Sequence, residues 1–572
     1  MNRSVHNFCL FVTLLLASSL TFALSEAGND AGDDSGKVKT QAAIASAHPL
    51  ATEAGIDILQ QGGNAFDAAI AVTATLAVVE PYSSGIGGGG FYLLHEQEKD
   101  RDIMIDAREM APARASRDMY LDENGDVIPG LSMDGALSAA IPGIPAALVH
   151  LSEKYGRLDL SRSLAAAIRH AREGFAVDAY YQRMAGFRLK ALQSNKAASE
   201  IFLHDGEIPE LGYKIIQNDL ANTLELIAEQ GLSGFYENEL AWKMVRDVRN
   251  NNGIWTIKDL ATYELKERSP QRFVYKGMQL TTAALPSSGG LVIAQILQIL
   301  SEYDLEYMTE SQRIHHVVEA ARRAYRDRAE YMGDPDFNDM PIDFLMSELY
   351  VKSLTDSINS DAATPSSTLK AVAQPSGNGT DTTHFSIVDK QGNRVSATLS
   401  INYPFGSCFV AKGTGVLLND EMDDFSAKPG APNAYGLVGS HANAIEPGKR
   451  MLSSMTPTMV ETRNRIAIVG TPGGSRIITM VLLAILDFYE QKTAEEIVNN
   501  GRYHHQYLPD EISFEADRFD AELVSELEIL GHTVKELDYE YGNMQMIIID
   551  KNSGEIEAAS DERGVGSSRV IR

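Results

Sequence analysis

A strand–turn–strand unit at residues 385–402 constrains the fold of this chain more than any other segment. FSIV (385–388) and VSATLSIN (395–402) read as strands, and DKQGN (389–393) between them has the composition of a turn. Side chains alternate along a strand. One face of the second strand therefore carries Val395, Ala397, Leu399 and Ile401, and the other carries Ser396, Thr398, Ser400 and Asn402. The pattern predicts one core face and one hydroxyl-rich face.

The register of this hairpin singles out Thr382. A turn near Gln391 and Gly392 places Thr382 opposite the stretch from Ser400 to Asn402, within reach of cross-strand contacts. These residues would then form one polar cluster. The pattern is also typical of hydroxyl side chains on a solvent-exposed strand face, so hairpin spacing alone leaves both interpretations open.

The hairpin follows a change in the character of the chain. Two helical runs between residues 49 and 81 are broken by Gly62, Gly63 and Asn64, and a glycine cluster follows them. Further helical periodicity occurs at residues 146–155, 164–173, 220–229, 290–302 and 312–331. After about residue 365, short β-branched runs and turns take over, with the polar connector KAVAQPSGNGTD at 370–381. Helices and strands are both predicted.

The N-terminus resembles an export signal. Arg3 precedes an uncharged apolar stretch and small residues around Ala23, which predicts a signal peptide over residues 1–23. An uncleaved anchor helix is the alternative. Residues 24–36 read as a flexible acidic leader, and the fold is expected to begin near Lys37. A secreted or periplasmic protein is predicted, and Cys408 would be its only cysteine, packed as a small hydrophobe.

Charge and missing motifs exclude several function classes. The formal net charge of −28 disfavours nucleic-acid partners, because the field of the whole molecule repels phosphate. The chain contains no G-x-S-x-G elbow, Walker loop, H-E-x-x-H or C-x-x-C. The pairs His315-His316 and His504-His505 lack partners at a recognised ligand spacing, so structural roles and no metal are predicted.

Two glycine segments carry weaker signals. SGIGGGG (84–90) could cradle an anion or allow close packing against another backbone. PGGS (472–475) follows the apolar strand IAIVG (466–470), and glycines at a strand end can present N–H groups to an oxyanion.

Seven segments together resemble the γ-glutamyltransferase family, in the family's order and across nearly the whole mature chain. They are SGIGGGGF (84–91), DAREMAP (106–112), GDPDF (333–337), TTHFSIVD (382–389), LLNDEMDDFS (417–426), KRMLSSMTPT (449–458) and GTPGGSRII (470–478). The resemblance implies an α+β N-terminal nucleophile (Ntn) hydrolase, a four-layer αββα sandwich that needs no cofactor. It also implies one cut, between Asp381 and Thr382. The large subunit, 37–381, and the small subunit, 382–572, would share one structural domain.

The resemblance assigns roles to individual residues. Thr382 would be the nucleophile, first on its own peptide bond and then on substrate, and Ser400 would orient its hydroxyl. The α-amine that the cut releases on Thr382 titrates at roughly pH 8, so it can act as the base for that hydroxyl. Gly473 and Gly474 match the family's oxyanion hole. Thr383 directly follows Thr382 and should face away from it, because side chains alternate along a strand. His384 is the next residue in the chain.

The remaining matches bind substrate. Arg108, Ser453 and Ser454 would hold the α-carboxylate of a γ-glutamyl group. Asn402, Glu421 and Asp424 would hold its α-ammonium, with Glu421 where some relatives have glutamine. Tyr435 matches an aromatic residue of a lid loop.

The implied reaction passes the γ-glutamyl group of glutathione or a similar amide to water or to an amino acid or peptide. One alternative within the family is a cephalosporin or glutaryl acylase, against which Glu421 and Asp424 both argue. A non-catalytic γ-glutamyl-binding relative is another, and a serine hydrolase with an undetected motif is a third.

Overall fold

Two antiparallel β-sheets stacked face to face form the centre of the molecule. A computed structural model describes residues 41–369 and 382–572. The predicted signal peptide (1–23), the acidic leader (24–36) and Asp381 lie outside the described residues. The strands are β1 Ala42–Ser46, β2 Gly89–Glu96, β3 Arg101–Asp106, β4 Phe175–Ala176, β5 Lys214–Ile215, β6 Lys266–Arg268, β7 Gln271–Tyr275, β8 Met278–Thr282, β9 Thr383–Val388, β10 Arg394–Ser400, β11 Val410–Ala411, β12 Val416–Leu417, β13 Thr458–Glu461, β14 Arg465–Gly470, β15 Tyr503–His504, β16 Ile512–Phe514, β17 Val534–Glu536, β18 Gln545–Asp550, β19 Ile556–Ser560 and β20 Ser567–Ile571.

Helices cover the outer faces of both sheets. They are α1 Pro49–Gln60, α2 Ala65–Val79, α3 Ile144–Lys154, α4 Leu160–Glu173, α5 Ala179–Ser194, α6 Lys196–Phe202, α7 Asn218–Gln230, α8 Ser233–Tyr236, α9 Glu239–Asn250, α10 Ile257–Ala261, α11 Gly289–Leu300, α12 Glu310–Tyr331, α13 Ile342–Leu345, α14 Glu348–Asp356, α15 Ile477–Tyr489, α16 Ala494–Asn499 and α17 Ala521–Ile529. Helices α1 and α2 pack on the first sheet, and α11 and α15 pack on the second. This is the predicted four-layer αββα arrangement. None of the helices formed by the described residues is both long and apolar enough to cross a membrane.

The two sheets interleave strands from both sides of the predicted cut. Among the described residues, the first sheet has the order β20-β1-β9-β10-β2-β3-β6 and the second has the order β19-β18-β14-β13-β8-β7. In the first sheet β9 lies between β1, which precedes the predicted cut, and β10, which follows it. The described residues, 41–369 and 382–572, belong to one compact unit. The described parts of the two predicted subunits therefore share both sheets.

The predicted hairpin is confirmed, and its hydroxyl-rich face is buried. Strand β9 pairs with β10 from Arg394 opposite Val388 to Leu399 opposite Thr383. The hydroxyl-rich face lies between the two sheets, where Ser396 Oγ donates to the carbonyl oxygen of Val469 at 3.2 Å. The solvent-exposed interpretation is therefore wrong. A strand inside a stacked sheet is covered on both faces, and its hydroxyl groups find partners across the interface.

The helix predictions hold, with boundaries displaced by a few residues. The break at Gly62 to Asn64 separates α1 from α2, and the Asn64 side chain accepts hydrogen bonds from the backbone N–H groups of Phe66 and Asp67. This capping fixes the start of α2, whose residues are all buried. Cys408 is buried within the core as predicted.

The glycine run at 84–90 serves close packing. A Cβ atom on Gly87 would lie 2.0 Å from the carbonyl oxygen of Leu417, and one on Gly88 would lie 2.1 Å from that of Ser400. Asn419 holds the same loop, because its side-chain amide donates to the carbonyl oxygen of Gly87 at 2.7 Å. The loop thereby joins β10 to the segment that carries Glu421 and Asp424.

Candidate active site

A cavity of about 310 Å³ brings together nearly all the residues singled out in the sequence. It is lined by Arg108, Arg328, Thr382, Ser400, Asn402, Glu421, Asp424, Tyr435, Leu437, Ser453, Ser454, Met455, Gly474, Ser475 and Ile477. Gly473 is not among them, but it directly precedes Gly474 in the turn that enters α15. The predicted residues come from segments more than 300 positions apart in the chain.

Thr382 lies at the start of β9 beside Ser400. Their hydroxyl oxygens are 3.4 Å apart, and both side chains are almost completely buried. Ser400 Oγ accepts a hydrogen bond from the backbone N–H of Asn402 at 2.8 Å. A hydroxyl group has one proton, and Ser400 is hydrogen-bonded to Glu421 as well as to Thr382, so these two groups are the possible acceptors of the Ser400 proton. The cross-strand cluster predicted from the register is confirmed.

Thr383 and His384, which follow the predicted nucleophile Thr382, lie in different surroundings. Thr383 Oγ1 donates to Glu80 at 2.8 Å, on the face of β9 away from Thr382. The ring of His384 is enclosed between the sheets, with Nδ1 2.8 Å from Thr398 Oγ1. Burial lowers the pKa of His384 to about 3, so this ring is neutral. The hydrogen bonds described for these two side chains go to Glu80 and Thr398.

Arg108 is paired with the two acidic residues predicted to bind the ammonium group. Its guanidinium donates to Glu421 and, at 2.5 Å, to Asp424. Arg108 also lies 3.5 Å from Glu109, whose carboxyl group is fully buried. Burial raises the pKa of Glu109 well above its ordinary value, and Glu421 adds to this effect. The charge of Arg108 is thus balanced by acidic residues within the pocket.

Burial also raises the pKa of Glu421, to about 7, although Arg108 opposes the shift. Asp424 acts in the same direction as burial, because a second carboxylate nearby disfavours ionisation. Glu421 therefore changes its charge near neutral pH. A glutamine at this position would have no such transition.

Tyr435 closes one side of the cavity. Its hydroxyl donates to the carbonyl oxygen of Asn402 at 2.6 Å, and its ring lies against Gly474. A Cβ atom on Gly474 would lie 2.2 Å from the ring, and Gly474 has φ of +56°, a value that favours glycine. The backbone at Gly474 therefore lines the cavity without a side chain, as an oxyanion site requires.

Arg328 was missed in the sequence. It is 4% exposed, near the end of α12, and its Nη2 donates to Ser454 Oγ at 3.1 Å. The only available signal was its place in the predicted helix, where Arg322, Arg323 and Arg326 are equally conspicuous. Only tertiary packing distinguishes the arginine that faces the cavity.

The paired histidines form hydrogen bonds with their neighbours. His504 Nδ1 lies 2.8 Å from Thr479 Oγ1, and His315 Nδ1 lies 2.8 Å from His532 Nε2. Within the described residues, one group has the spacing of metal ligands: His315, Glu319 and His532. Glu319 is ion-paired with Arg322 and Arg323, which opposes binding of a cation. The absence of a metal stays a prediction.

Known proteins resemble this chain over nearly its whole length. The sequence model of the family described as gamma-glutamyltranspeptidase matches residues 51–571. A glutathione hydrolase proenzyme of Escherichia coli (strain K12) is 41% identical over 530 residues, which cover 92% of this chain and 91% of that protein. A glutathione hydrolase proenzyme of Pseudomonas aeruginosa is 40% identical, with 98% of each chain covered.

Solved structures show the same architecture. A cephalosporin acylase from Bacillus halodurans has a TM-score of 0.81 and 25% identity, covering 93% of this chain and 96% of its own. A gamma-glutamyltranspeptidase from Helicobacter pylori has a TM-score of 0.55 and 38% identity, covering 57% of this chain and 94% of its own. The fold is thus common to a cephalosporin acylase and a gamma-glutamyltranspeptidase.

Proposed function

Because this chain belongs to the gamma-glutamyltranspeptidase family, we propose that it is a self-cleaving γ-glutamyltransferase and glutathione hydrolase with Thr382 as its nucleophile. The observation that supports this most directly is the cavity itself. The Thr382 hydroxyl lies 3.4 Å from that of Ser400, and Gly474 and a cluster of opposite charges line the same cavity. No cofactor is required.

Self-cleavage is the first reaction of Thr382. Its hydroxyl attacks the carbonyl carbon of Asp381, and the peptide C–N bond then breaks, which frees the α-amine of Thr382 and leaves an ester between Asp381 and Thr382. Water hydrolyses this ester to the Asp381 carboxylate and the free Thr382 hydroxyl. A free α-amine has a pKa of roughly 8, so it can accept the hydroxyl proton near neutral pH. The buried, neutral His384 faces other groups and is not needed as a base. A large subunit (37–381) and a small subunit (382–572) result.

Hydrolysis of substrate uses the same hydroxyl. Thr382 attacks the γ-carbonyl carbon, and the N–H groups of Gly473 and Gly474 stabilise the oxyanion that develops. The amide leaves, and water or an amino acid or peptide then takes the γ-glutamyl group from the Thr382 ester. Ser400 orients the nucleophile in both steps, and Tyr435 covers the cavity.

The charges in the cavity favour a γ-glutamyl group over a glutaryl group. Glu421 and Asp424, with the amide of Asn402, provide acceptors for an α-ammonium group that glutaryl amides lack. Arg108, Ser453 and Ser454 provide donors for the α-carboxylate. A cephalosporin or glutaryl acylase would gain nothing from two acidic residues at this position.

Localisation and partners follow from the sequence. Residues 1–23 support export by cleavage after Ala23, and the protein is proposed to be secreted or periplasmic. Its partners are glutathione or other γ-glutamyl compounds, the acceptor, and the second subunit of the same precursor. The net charge of −28 argues against nucleic acid.

The test compares purified wild-type protein with Thr382→Ala. Wild-type protein is expected to run as two bands, with a mass that begins at Thr382 for the smaller one, and to hydrolyse γ-glutamyl-p-nitroanilide. Thr382→Ala is expected to stay uncut and inactive. Uncut wild-type protein and an equally active Thr382→Ala would refute the proposal. Activity on glutaryl-p-nitroanilide alone would indicate an acylase, and binding without turnover would indicate a non-catalytic relative.

A further inference from the structure

Arg328 and Arg108 both line the cavity, but their charges are balanced differently. Arg108 is paired with Glu421 and Asp424. Arg328, which is almost completely buried, forms no ion pair with any residue in the part of the chain that the structure describes. Its two hydrogen bonds to side chains go to Ser288 and Ser454. Its positive charge is therefore not paired with a carboxylate at salt-bridge distance among the described residues, and Asp424 acts on it only from farther across the cavity.

This charge persists at working pH. Burial lowers the pKa of Arg328 to about 10, still far above neutrality. The cavity is therefore lined by two cations, Arg108 and Arg328, and by two acidic residues, Glu421 and Asp424. A γ-glutamyl group carries one charge of each sign, so it can enter without changing the net charge of the cavity. Arg108, which donates to the substrate carboxylate, is already paired with two acidic residues, so a second cation nearby adds attraction for that carboxylate.

The hydrogen bonds of Arg328 set the direction of the Ser454 hydroxyl. Arg328 Nη2 donates to Ser454 Oγ at 3.1 Å, so this oxygen acts as an acceptor towards the guanidinium. The single hydroxyl proton of Ser454 must then point elsewhere. Ser454 lines the cavity, and the proton can be donated to a ligand there.

A second branch holds Ser453. Arg328 Nε donates to Ser288 Oγ at 2.8 Å, and Ser288 Oγ donates in turn to the carbonyl oxygen of Ser453 at 2.7 Å. The backbone N–H of Met455 donates to Ser453 Oγ at 3.1 Å, which leaves the Ser453 proton available in the same way. The Arg328 guanidinium thus holds Ser454 directly, through its hydroxyl oxygen, and Ser453 indirectly, through Ser288.

We propose that Arg328 is a positioning residue for the substrate carboxylate: it fixes Ser453 and Ser454 as hydrogen-bond donors and supplies the unpaired positive charge that attracts the α-carboxylate. This inference rests on the proposed function, because it assigns the recognition of one group of the γ-glutamyl substrate. It predicts an effect on binding that depends on whether the substrate carries that carboxylate.

The experiment uses the exported, self-cleaved enzyme and two anilides. L-γ-Glutamyl-p-nitroanilide carries the α-carboxylate, and 4-aminobutanoyl-p-nitroanilide is the same molecule without it. Arg328→Gln is expected to raise KM for the γ-glutamyl anilide by about 10- to 100-fold, with kcat nearly unchanged. Its kcat/KM for the 4-aminobutanoyl anilide should match that of wild type. Ser288→Ala should shift the same preference by a smaller factor.

Arg326→Gln is the matched control, because Arg326 lies two positions away in α12, is paired with Asp327, and does not line the cavity. It should keep the wild-type preference. Arg328→Lys keeps the charge with a less extended donor set, and it should lie between wild type and Arg328→Gln. Equal losses on both anilides, or an unchanged preference in Arg328→Gln, would overturn the inference.

Further measurements distinguish a variant that fails to fold from one that fails to bind, and a failure of the proposed function from a failure of the role of Arg328. Thermal unfolding and the extent of self-cleavage establish that each variant is folded, and if Arg328→Gln fails to fold, Arg328→Lys and Ser288→Ala decide the question. A wild-type enzyme that does not cleave the γ-glutamyl anilide would refute the proposed function itself. A wild-type enzyme that cleaves it, with a preference that none of the Arg328 and Ser288 variants changes, would refute only the role of Arg328.

Discussion

The hydroxyl group of Tyr435 donates a 2.6 Å hydrogen bond to the carbonyl oxygen of Asn402, and this bond ties the loop that carries Tyr435, the proposed lid, to the end of the β9–β10 hairpin. Asn402 has φ of +75°, a left-handed conformation that few side chains other than Asn and Asp tolerate well. The same residue donates through Nδ2 to the carbonyl oxygen of Asp420 at 3.1 Å. Asn402 thus follows the β9–β10 hairpin and connects it to the loop that carries Tyr435 and to the segment that begins at Asp420.

Tyr435→Phe should weaken substrate binding without abolishing catalysis. The substitution removes the hydrogen bond to Asn402 but leaves the ring against Gly474. We therefore expect the loop that carries Tyr435 to cover the cavity for a smaller fraction of the time. A neutral hydrogen bond contributes about 0.5–1.5 kcal/mol, which corresponds to a KM that is about 2- to 10-fold higher. Steady-state kinetics with the γ-glutamyl anilide measures this. Tyr307→Phe, at an exposed tyrosine, is the control, and an unchanged KM in Tyr435→Phe would contradict the role of the bond.

Ser400→Ala should slow both self-cleavage and turnover. It removes the hydroxyl group that lies 3.4 Å from Thr382 Oγ1, so the nucleophile is less well oriented. We expect a loss of about 10- to 100-fold in kcat, in line with the loss of one hydrogen bond to a reacting group. Ser400→Thr should retain most activity because it keeps the hydroxyl.

Thr398→Val provides the comparison for Ser400. It removes a hydroxyl on the same face of β10, but one that contacts His384 rather than Thr382. It should lower stability and leave kcat within about threefold of wild type, a difference of less than 1 kcal/mol in the barrier. Equal kcat losses in Thr398→Val and Ser400→Ala would show that the effect is structural.

Glu421 should make substrate binding depend on pH. Its pKa of about 7 means that it is ionised above neutrality and protonated below. Affinity for the α-ammonium group should therefore fall, and KM rise, as the pH decreases from 8 to 6. In Glu421→Gln this dependence should flatten, with a higher KM at pH 8. The measurement is KM rather than kcat, because the α-amine of Thr382 also titrates at roughly pH 8 and would change kcat.

The pH dependence of stability should run opposite to that of substrate affinity, because protonation of Glu421 favours the folded protein. The pKa of Glu421 in the folded protein is raised from 4.5 to about 7, so its stabilising contribution is complete below pH 4.5 and is lost as the pH rises through 7. The free energy of unfolding of Glu421→Gln should therefore fall less than that of wild type between pH 5 and 8. Glu495→Gln, at an exposed position, should follow wild type. Parallel profiles for wild type and Glu421→Gln would contradict the raised pKa.

Gly88→Ala should prevent correct assembly of the site. The new Cβ atom would lie 2.1 Å from the carbonyl oxygen of Ser400, a distance that the paired backbone cannot relieve without moving. We expect a loss of about 3 kcal/mol or more in the free energy of unfolding, with little self-cleavage. Gly85→Ala in the same loop is the matched control, because its nearest contact is an ordinary 3.4 Å. Thermal unfolding and gel analysis distinguish the two, and equal stability of both variants would refute the packing argument.

Local pattern and family resemblance predicted a large part of this molecule. Alternation and turn composition located β9 and β10, and their register paired Thr382 with Ser400. Helical periodicity located α3, α4, α7, α11 and α12 to within a few residues. These features depend on neighbours in sequence, and side-chain periodicity records them directly. The residues that line the cavity were identified by their motifs, from segments whose spacing in the chain says nothing about distance in space.

Tertiary structure alone decided the environment of those residues. Whether the hydroxyl face of β10 meets solvent or a second sheet depends on β14, some 70 residues away, and the glycine run acts in packing because of where Leu417 and Ser400 lie. The pairing of Arg108 with Glu421, and the unpaired charge of Arg328, are likewise properties of side chains that meet only in the fold. By itself the sequence determined which chemical groups this protein carries and which local structures hold them. Burial and long-range packing determined their charges and partners, because desolvation and hydrogen bonding depend on the complete surroundings of a group.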